Sequence, residues 1–254
     1  MLLGFGTLSA EGREKSWYAL VKELEAVCTD WFVTFAYTSE YISGRLSVKE
    51  GLCVFFPDVL RMLKMKGYEY VIVQPVFLSH RPEYREQLEK QIENCRMDFQ
   101  KLQLGDFLLA SKEDYVSSLH IIMQEASLSV GEYILLVLHG VHDCPSDVRE
   151  KFQAYADELH FPVYVVELET KENGTLGNIV SCMEQKNIKK VCVIPFLFSM
   201  GTHIGRDIAG NGESSWKMVL KNAGFEVRVV MKGMGEIPAF RQFFCRKLQS
   251  LTMA

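Results

Sequence analysis

The chain has 254 residues, 48% hydrophobic and 24% charged, enough to bury a substantial core as one large domain or two lobes. Its net charge of −4 argues against a nucleic-acid-binding surface. No apolar run approaches the roughly 20 residues that a membrane span needs, and MLLGFGTLSAEG has neither the basic leader nor the apolar core of a signal peptide. The seven cysteines (28, 53, 95, 144, 182, 192 and 245) are scattered, odd in number and without a CxxC pair, which points to reduced thiols in a cytoplasm.

Residues 2–6 predict a short strand ending in Gly4-Phe5-Gly6-Thr7. Helix 12–28 follows, with Trp17, Leu20, Val21, Leu24 and Cys28 on one face. Trp31 to Tyr37 read as a second strand, 49–66 as a helix and 70–78 as a strand. The charged stretch 82–97 is a solvated helix with Pro82 in its first turn. A short strand lies within Leu102 to Ala110, and Glu113 to Glu125 is helical. The order then repeats: strand 133–138, helix 146–159, strand 163–168, helix 174–186, strand 189–198, helix 215–223 stopped by Gly224, strand 225–231 and helix 238–251. Strands alternating with helices predict mainly parallel sheets with helices on both faces. The natural boundary is 126–132, dividing the chain into lobes 1–126 and 127–254.

Internal similarity supports two related halves. Shifting YVIVQPVFLSHRPEY (70–84) by 120 places Pro75 on Pro195, Phe77 on Leu197, Ser79 on Ser199 and Glu83 on His203. LLGFGT at the start echoes ILLVLHGV at 134–141, with Phe5 on His139 and Gly6 on Gly140. If the halves face each other, His139, His203 and Glu83 meet in one cleft. Each lies at or past the carboxyl end of a strand, where open α/β sheets bind ligands.

Neither glycine turn is GxGxxG or a phosphate-binding loop, so nucleotide binding has little support. A lone His139 reads most simply as a strand-end residue; its pairing with His203 shifts the balance to function. Neutral imidazole binds divalent transition metals and titrates near neutral pH. Glu167 ends a strand between the two histidines, with Glu169 as its alternate. His142 sits in a polar loop; His80, His120 and His160 read as structural.

The GFGT turn, IVQPVFLSHRPEYREQ, LLASKEDYV, the LHG turn, VVELE, PFLFSMGTHIGRDIAGNGESSWKMVLKNAGFEV and GMGEIPAFRQFF together resemble the anaerobic sirohydrochlorin cobaltochelatases, class II chelatases of cobalamin biosynthesis. The resemblance runs nearly end to end. It implies two flavodoxin-like halves in a ferrochelatase-like fold with a cleft between the lobes. It implies His139 and His203 as metal-binding histidines and Glu167 as their carboxylate partner. With Glu83 added from the internal repeat, the expected catalytic residues are His139, His203 and Glu83. The sequence departs from the family in having Leu138 where glycine usually precedes the first histidine.

The implied reaction inserts Co(II), or alternatively Ni(II) or Fe(II), into a sirohydrochlorin-type tetrapyrrole and displaces two pyrrole protons. The metal is a substrate, and no prosthetic group is expected. Histidine can hold the metal loosely and accept protons. Phe77, Leu78, Phe196, Phe198 and Met200 are candidate apolar walls, or plain core. Arg206, Arg81 and Lys217 are candidate partners for the macrocycle's carboxylates. The expected partners are the tetrapyrrole and the metal, with no nucleic acid, no membrane, and a homo-oligomer allowed. Two further readings stand beside the chelatase: a non-catalytic tetrapyrrole or metal carrier on this scaffold, and an unrelated flavodoxin-like phosphate binder.

Overall fold

The computed structural model describes residues 1–77, 82–140, 146–169 and 175–252, with backbone only at 82, 83, 140, 146, 169, 175, 202–204, 250 and 252. Its elements are β1 (Leu2–Gly4), α1 (Ala10–Gly12), a π-helical turn (Arg13–Tyr18), α2 (Ala19–Val27), β2 (Phe35–Tyr37), α3 (Glu40–Glu50), α4 (Phe56–Met65), β3 (Tyr70–Pro75), α5 (Pro82–Cys95) and β4 (Lys101–Leu104). There follow α6 (Lys112–Ala126), β5 (Glu132–Gly140), α7 (Ser146–Glu158), β6 (Val163–Glu169), α8 (Thr175–Gln185), β7 (Lys190–Pro195), α9 (Thr202–Ala209), α10 (Trp216–Asn222), β8 (Glu226–Val229) and α11 (Pro238–Thr252).

The strands form two four-stranded sheets, β2-β1-β3-β4 and β6-β5-β7-β8, and every pairing is parallel. Parallel strands need crossover helices, which cover both faces, so the central strands are nearly continuous apolar runs. Ile134 to Leu138 and Val191 to Ile194 are all buried. The expected α/β architecture is therefore present.

The internal repeat holds to the hydrogen bond. Leu2 pairs with Gln74 and Leu3 with Pro75 in the first sheet; Leu136 pairs with Ile194 and Val137 with Pro195 in the second. The Val76 N–H donates to the Leu3 carbonyl at 2.8 Å, and the Phe196 N–H donates to the Val137 carbonyl at 2.8 Å. Both offsets read from the sequence, 134 for the first strands and 120 for the later ones, thus describe real structural equivalences. By the first offset Phe5 corresponds to His139, but β1 ends at Gly4 while β5 continues through His139. The helix starts at Pro82 and Thr202 match by the second offset.

The chain divides into residues 1–110 with 238–254, and 111–237. This differs from the expected boundary at 126/127. The reason is side-chain packing. The Tyr115 ring of α6 meets Phe152 of α7 edge-on at 4.9 Å, which ties α6 to the second unit. α11 packs on α2, where the Arg241 Nε donates to Glu23 Oε1 at 2.6 Å, and the Lys247 Nζ donates to the Leu108 carbonyl at 2.9 Å. The last helix therefore completes the first unit.

Local departures have similar causes. The expected helix 49–66 is two helices, because Gly51 takes φ +68 and caps α3, and Pro57 then starts α4. The helix expected over 12–28 contains the π turn, and the second strand is only Phe35–Tyr37. His139 lies within β5, not in a loop, and His203 is the second residue of α9.

Each unit has its own core. Leu3, Ala36, Val71 and Val73 pack with Phe56, Leu60, Leu88 and Ile92 in the first. Leu135, Val137, Val166 and Val193 pack with Met183, Ile208, Trp216 and Leu220 in the second. Among the described residues no helix is long and apolar enough to cross a membrane.

Candidate functional site

In the second unit, His139 lies in the carboxyl-terminal part of one strand, and the helix that carries His203 starts after the carboxyl end of another. β5 is the second strand in sheet order, held by β6 on one side and β7 on the other. His139 is its penultimate residue, half-buried, with Nδ1 buried. Successive strand residues alternate between faces. Leu135, Val137, Val166 and Leu168 all meet one core, to which α9 contributes Ile208. His139 continues that alternation and shares the face on which α9 packs. His203 begins the same helix. The face that His139 shares is therefore the one on which α9, the helix that His203 begins, packs through Ile208.

Glu167 goes elsewhere. Leu138 pairs with Glu167 across the β5–β6 ladder, so these two share the opposite face. That face is covered by α7, whose Gln153 Oε1 accepts the Val165 N–H at 2.9 Å. Glu167 is 8% exposed. The fold thus brings His139 toward α9 and turns Glu167 from both. The side chains of His203, Glu83 and Glu169 are outside the described residues, as are His80, Arg81, Leu78 and His142 in full. Glu83 is the second residue of α5 in the first unit, the position equivalent to that of His203. Among the described residues no three His, Cys, Asp or Glu side chains cluster as a metal site.

The most distinctive motif of the sequence serves to hold the α9 segment in place. The Met234 N–H donates to the Leu197 carbonyl at 2.6 Å and the Gly235 N–H to the Phe198 carbonyl at 2.9 Å. A Cβ on Gly233 would stand 2.6 Å from the Phe198 oxygen, so glycine is required for this approach. After α9, the Ser215 hydroxyl donates to the Gly210 carbonyl at 2.7 Å and accepts the Met218 N–H at the start of α10. Trp216 and Ile208 are buried beside it. These bonds fix both ends of the His203 helix. Sequence reading weighted the histidine, but the signal in GMGE and GNGESSW, small residues permitting close backbone approach, marked the frame that holds it.

The candidate walls separate into two sets. Phe196 and Phe198 belong to the core, Phe196 meeting Phe152 edge-on at 5.1 Å. Met200 is half-buried against the second core and Phe77 against the first. Of the candidate cations, Arg206 has a side chain 77% exposed beside Asp207, and the Lys217 Nζ donates to Asn211 Oδ1 at 2.8 Å. His120 and His160 are exposed. The His120 ring of α6 meets Phe161 edge-on at 5.2 Å, and His160 takes φ +56 in the turn after α7.

The architecture defines the class. It is the fold of solved sirohydrochlorin chelatases: SirB from Bacillus subtilis with Fe3+ has a TM-score of 0.68 at 14% identity, over 98% of this chain and 93% of that one. SirB from Bacillus subtilis subspecies spizizenii in complex with cobalt has a TM-score of 0.60 at 13% identity, over 98% and 92%. The family model for cobalt chelatase (CbiK) matches residues 1–253, and the chain belongs to that family. Among its relatives, the sirohydrochlorin cobaltochelatase of Salmonella typhimurium is 29% identical, over 100% of this chain and 96% of its own length. The sirohydrochlorin cobaltochelatase CbiKC of Nitratidesulfovibrio vulgaris is 25% identical, over 82% and 74%.

Proposed function

We propose that this chain is a sirohydrochlorin cobaltochelatase, inserting Co(II) into a sirohydrochlorin-type tetrapyrrole and releasing two pyrrole protons. The carrying observation is that a cobalt-chelatase family match over the whole chain coincides with His139 and the His203 helix on one face of one sheet. The charges balance: a dication enters, two N–H bonds break, and two protons leave on bases or water.

Two neutral imidazoles suit this task. They bind a divalent first-row metal without the tight grip of thiolates, and a neutral ring can accept a proton. We assign His139 and His203 as ligands that present the metal. Glu83, at the helix start equivalent to that of His203, is assigned as a carboxylate that takes or leads away pyrrole protons. Glu167 is retained as a third ligand only by the motif; the sheet register disfavours it. Ligand types do not select Co(II) over Ni(II) or Fe(II), since affinity follows a general order.

The test is an anaerobic absorbance assay with sirohydrochlorin and each metal in turn. Multiple turnovers with Co(II) support the reading. Stoichiometric binding without turnover identifies a carrier, and fastest turnover with Ni(II) or Fe(II) changes the metal. Glu167→Gln should leave insertion within about threefold of normal if its side chain stays on the α7 face.

A further inference from the structure

The four strands of the first sheet run parallel, so their amino ends lie together at one pole. A cavity of about 560 Å³ opens there, with Met1 before β1, Thr34 before β2, Tyr70 at the start of β3 and Lys101 at the start of β4 in its lining. The lining belongs entirely to the first unit. The volume falls within the roughly 300–1,000 Å³ of small-molecule sites. The groups assigned to metal insertion lie at or beyond the carboxyl ends of strands, so that chemistry makes no use of this cavity.

Two short loops build its aromatic wall. After α2 the Trp31 N–H donates to the Cys28 carbonyl at 3.0 Å, and this turn brings Asp30, Trp31 and Phe32 to the cavity. After α4, Gly67 takes φ +80 and the Tyr68 N–H donates back to the Leu63 carbonyl at 3.2 Å. That glycine stop sets Tyr68, Glu69 and Tyr70 on the cavity. Between the loops the Phe32 and Tyr68 rings stack at 5.4 Å, only 18° from parallel. The Tyr70 hydroxyl donates to Gln100 Oε1 at 2.8 Å, which holds its ring in place. Phe32 is 46% and Tyr70 54% exposed, so flat aromatic area stays open to solvent inside a concave site.

The charged groups of the lining are Asp30, Glu69 and Lys101. Neither carboxylate forms an ion pair with another described residue. Two carboxylates against one ammonium leave the lining negative. The ring faces favour the same sign of ligand: the Lys66 Nζ stands 5.6 Å from the Phe32 centroid.

We propose that this cavity binds a flat aromatic cation, a fused heteroaromatic ring bearing positive charge, stacked on the Phe32–Tyr68 wall with its charge met by Asp30 and Glu69. Ring area supplies the affinity and the carboxylates select the sign of charge. Lys66, exposed on a flexible stem, gives up the Phe32 face to the ligand. The proposal does not rest on the chelatase reading.

The experiment titrates the full chain with proflavine, a flat tricyclic cation, and with anthracene-9-carboxylate, a flat tricyclic anion, following ligand fluorescence. Proflavine should bind saturably at one site per chain, about tenfold or more tighter than the anion, as two exposed charge contacts replace two repulsions. Phe32→Ala should weaken it roughly three- to tenfold, the size of one lost ring contact. Asp30→Asn combined with Glu69→Gln should remove most of the preference for the cation, and added salt should weaken proflavine binding to the unsubstituted chain. Melting curves check folding; if Phe32→Ala does not fold, Tyr70→Ala, which removes a more exposed ring, carries the same measurement. No saturable proflavine binding, equal or tighter binding of the anion, or an affinity unchanged by the ring variant or by the double variant overturns the proposal. Displacement of proflavine by metal-free sirohydrochlorin also overturns it, since the cavity would then belong to the substrate site.

Discussion

Replacing His139 with alanine separates a catalytic imidazole from a strand-end residue. The side chain is half-buried at the end of a central strand, with Nδ1 out of solvent, so truncation removes some packing as well as a functional group. A change of that kind costs about 1–2 kcal/mol, against the roughly 5–15 kcal/mol that holds a typical domain together, so the variant should fold. The lost metal ligand should lower insertion far more, by about 10²–10⁴-fold, comparable with removing a positioned catalytic group. The assay is anaerobic insertion at saturating Co(II), with circular dichroism and urea unfolding on the same preparation. Sirohydrochlorin binding should persist, because the imidazole handles the metal. Folded protein with near-normal insertion at saturating Co(II) would refute the assignment. Unfolded protein would instead show that the strand end needs the ring, and His139→Gln, which keeps volume and polarity, then carries the same kinetic test.

Four further outcomes are expected. In Arg228→Ala the buried Glu132 loses donors at 3.0 Å from both Nε and Nη2, and the Ala126 carbonyl loses its 2.7 Å bond; with Arg228 44% exposed, the cost in urea unfolding should be about 2 kcal/mol, below that of a fully buried pair. Burial pushes the Glu132 carboxyl up, but hydrogen bonds from Arg228 and Ser129 outweigh it and hold the group below its usual range, so its contribution is present above the ordinary glutamate pKa and is lost as pH falls through the depressed folded value; Glu132→Gln should therefore lose less stability on acidification than the unsubstituted chain. Gly233→Ala should cost about 1–3 kcal/mol and slow insertion, because the new methyl group meets the Phe198 and Ser199 backbone, and unfolding with parallel kinetics checks both effects. Burial raises the Cys192 and Cys245 thiols to about 11, leaving roughly one thiolate in a thousand at pH 8, so an alkylating reagent should modify exposed Cys53 first and these two only on denaturation, as peptide mass mapping would show.

The alternating strands and helices and the repeat offsets were legible in the sequence. Each depends on local order: an apolar run of five marks a doubly covered strand, and a fixed offset between similar runs marks a fixed place in a repeated fold. The two offsets hold in the sheets, where Leu3 pairs with Pro75 as Val137 pairs with Pro195, because strand pairing preserves register residue by residue. What lay between those marks was decided by contacts distant in sequence. The unit boundary moved to 110/111 because Tyr115 meets Phe152, and the last helix joined the first unit because Arg241 meets Glu23. Both meetings arise after the chain has turned back on itself, so no periodicity announces them. Glu167 shows the same limit at the site. Its place at the end of a strand was readable, but the face it points to depends on the register between β5 and β6, and one residue of register exchanges the two faces of a strand.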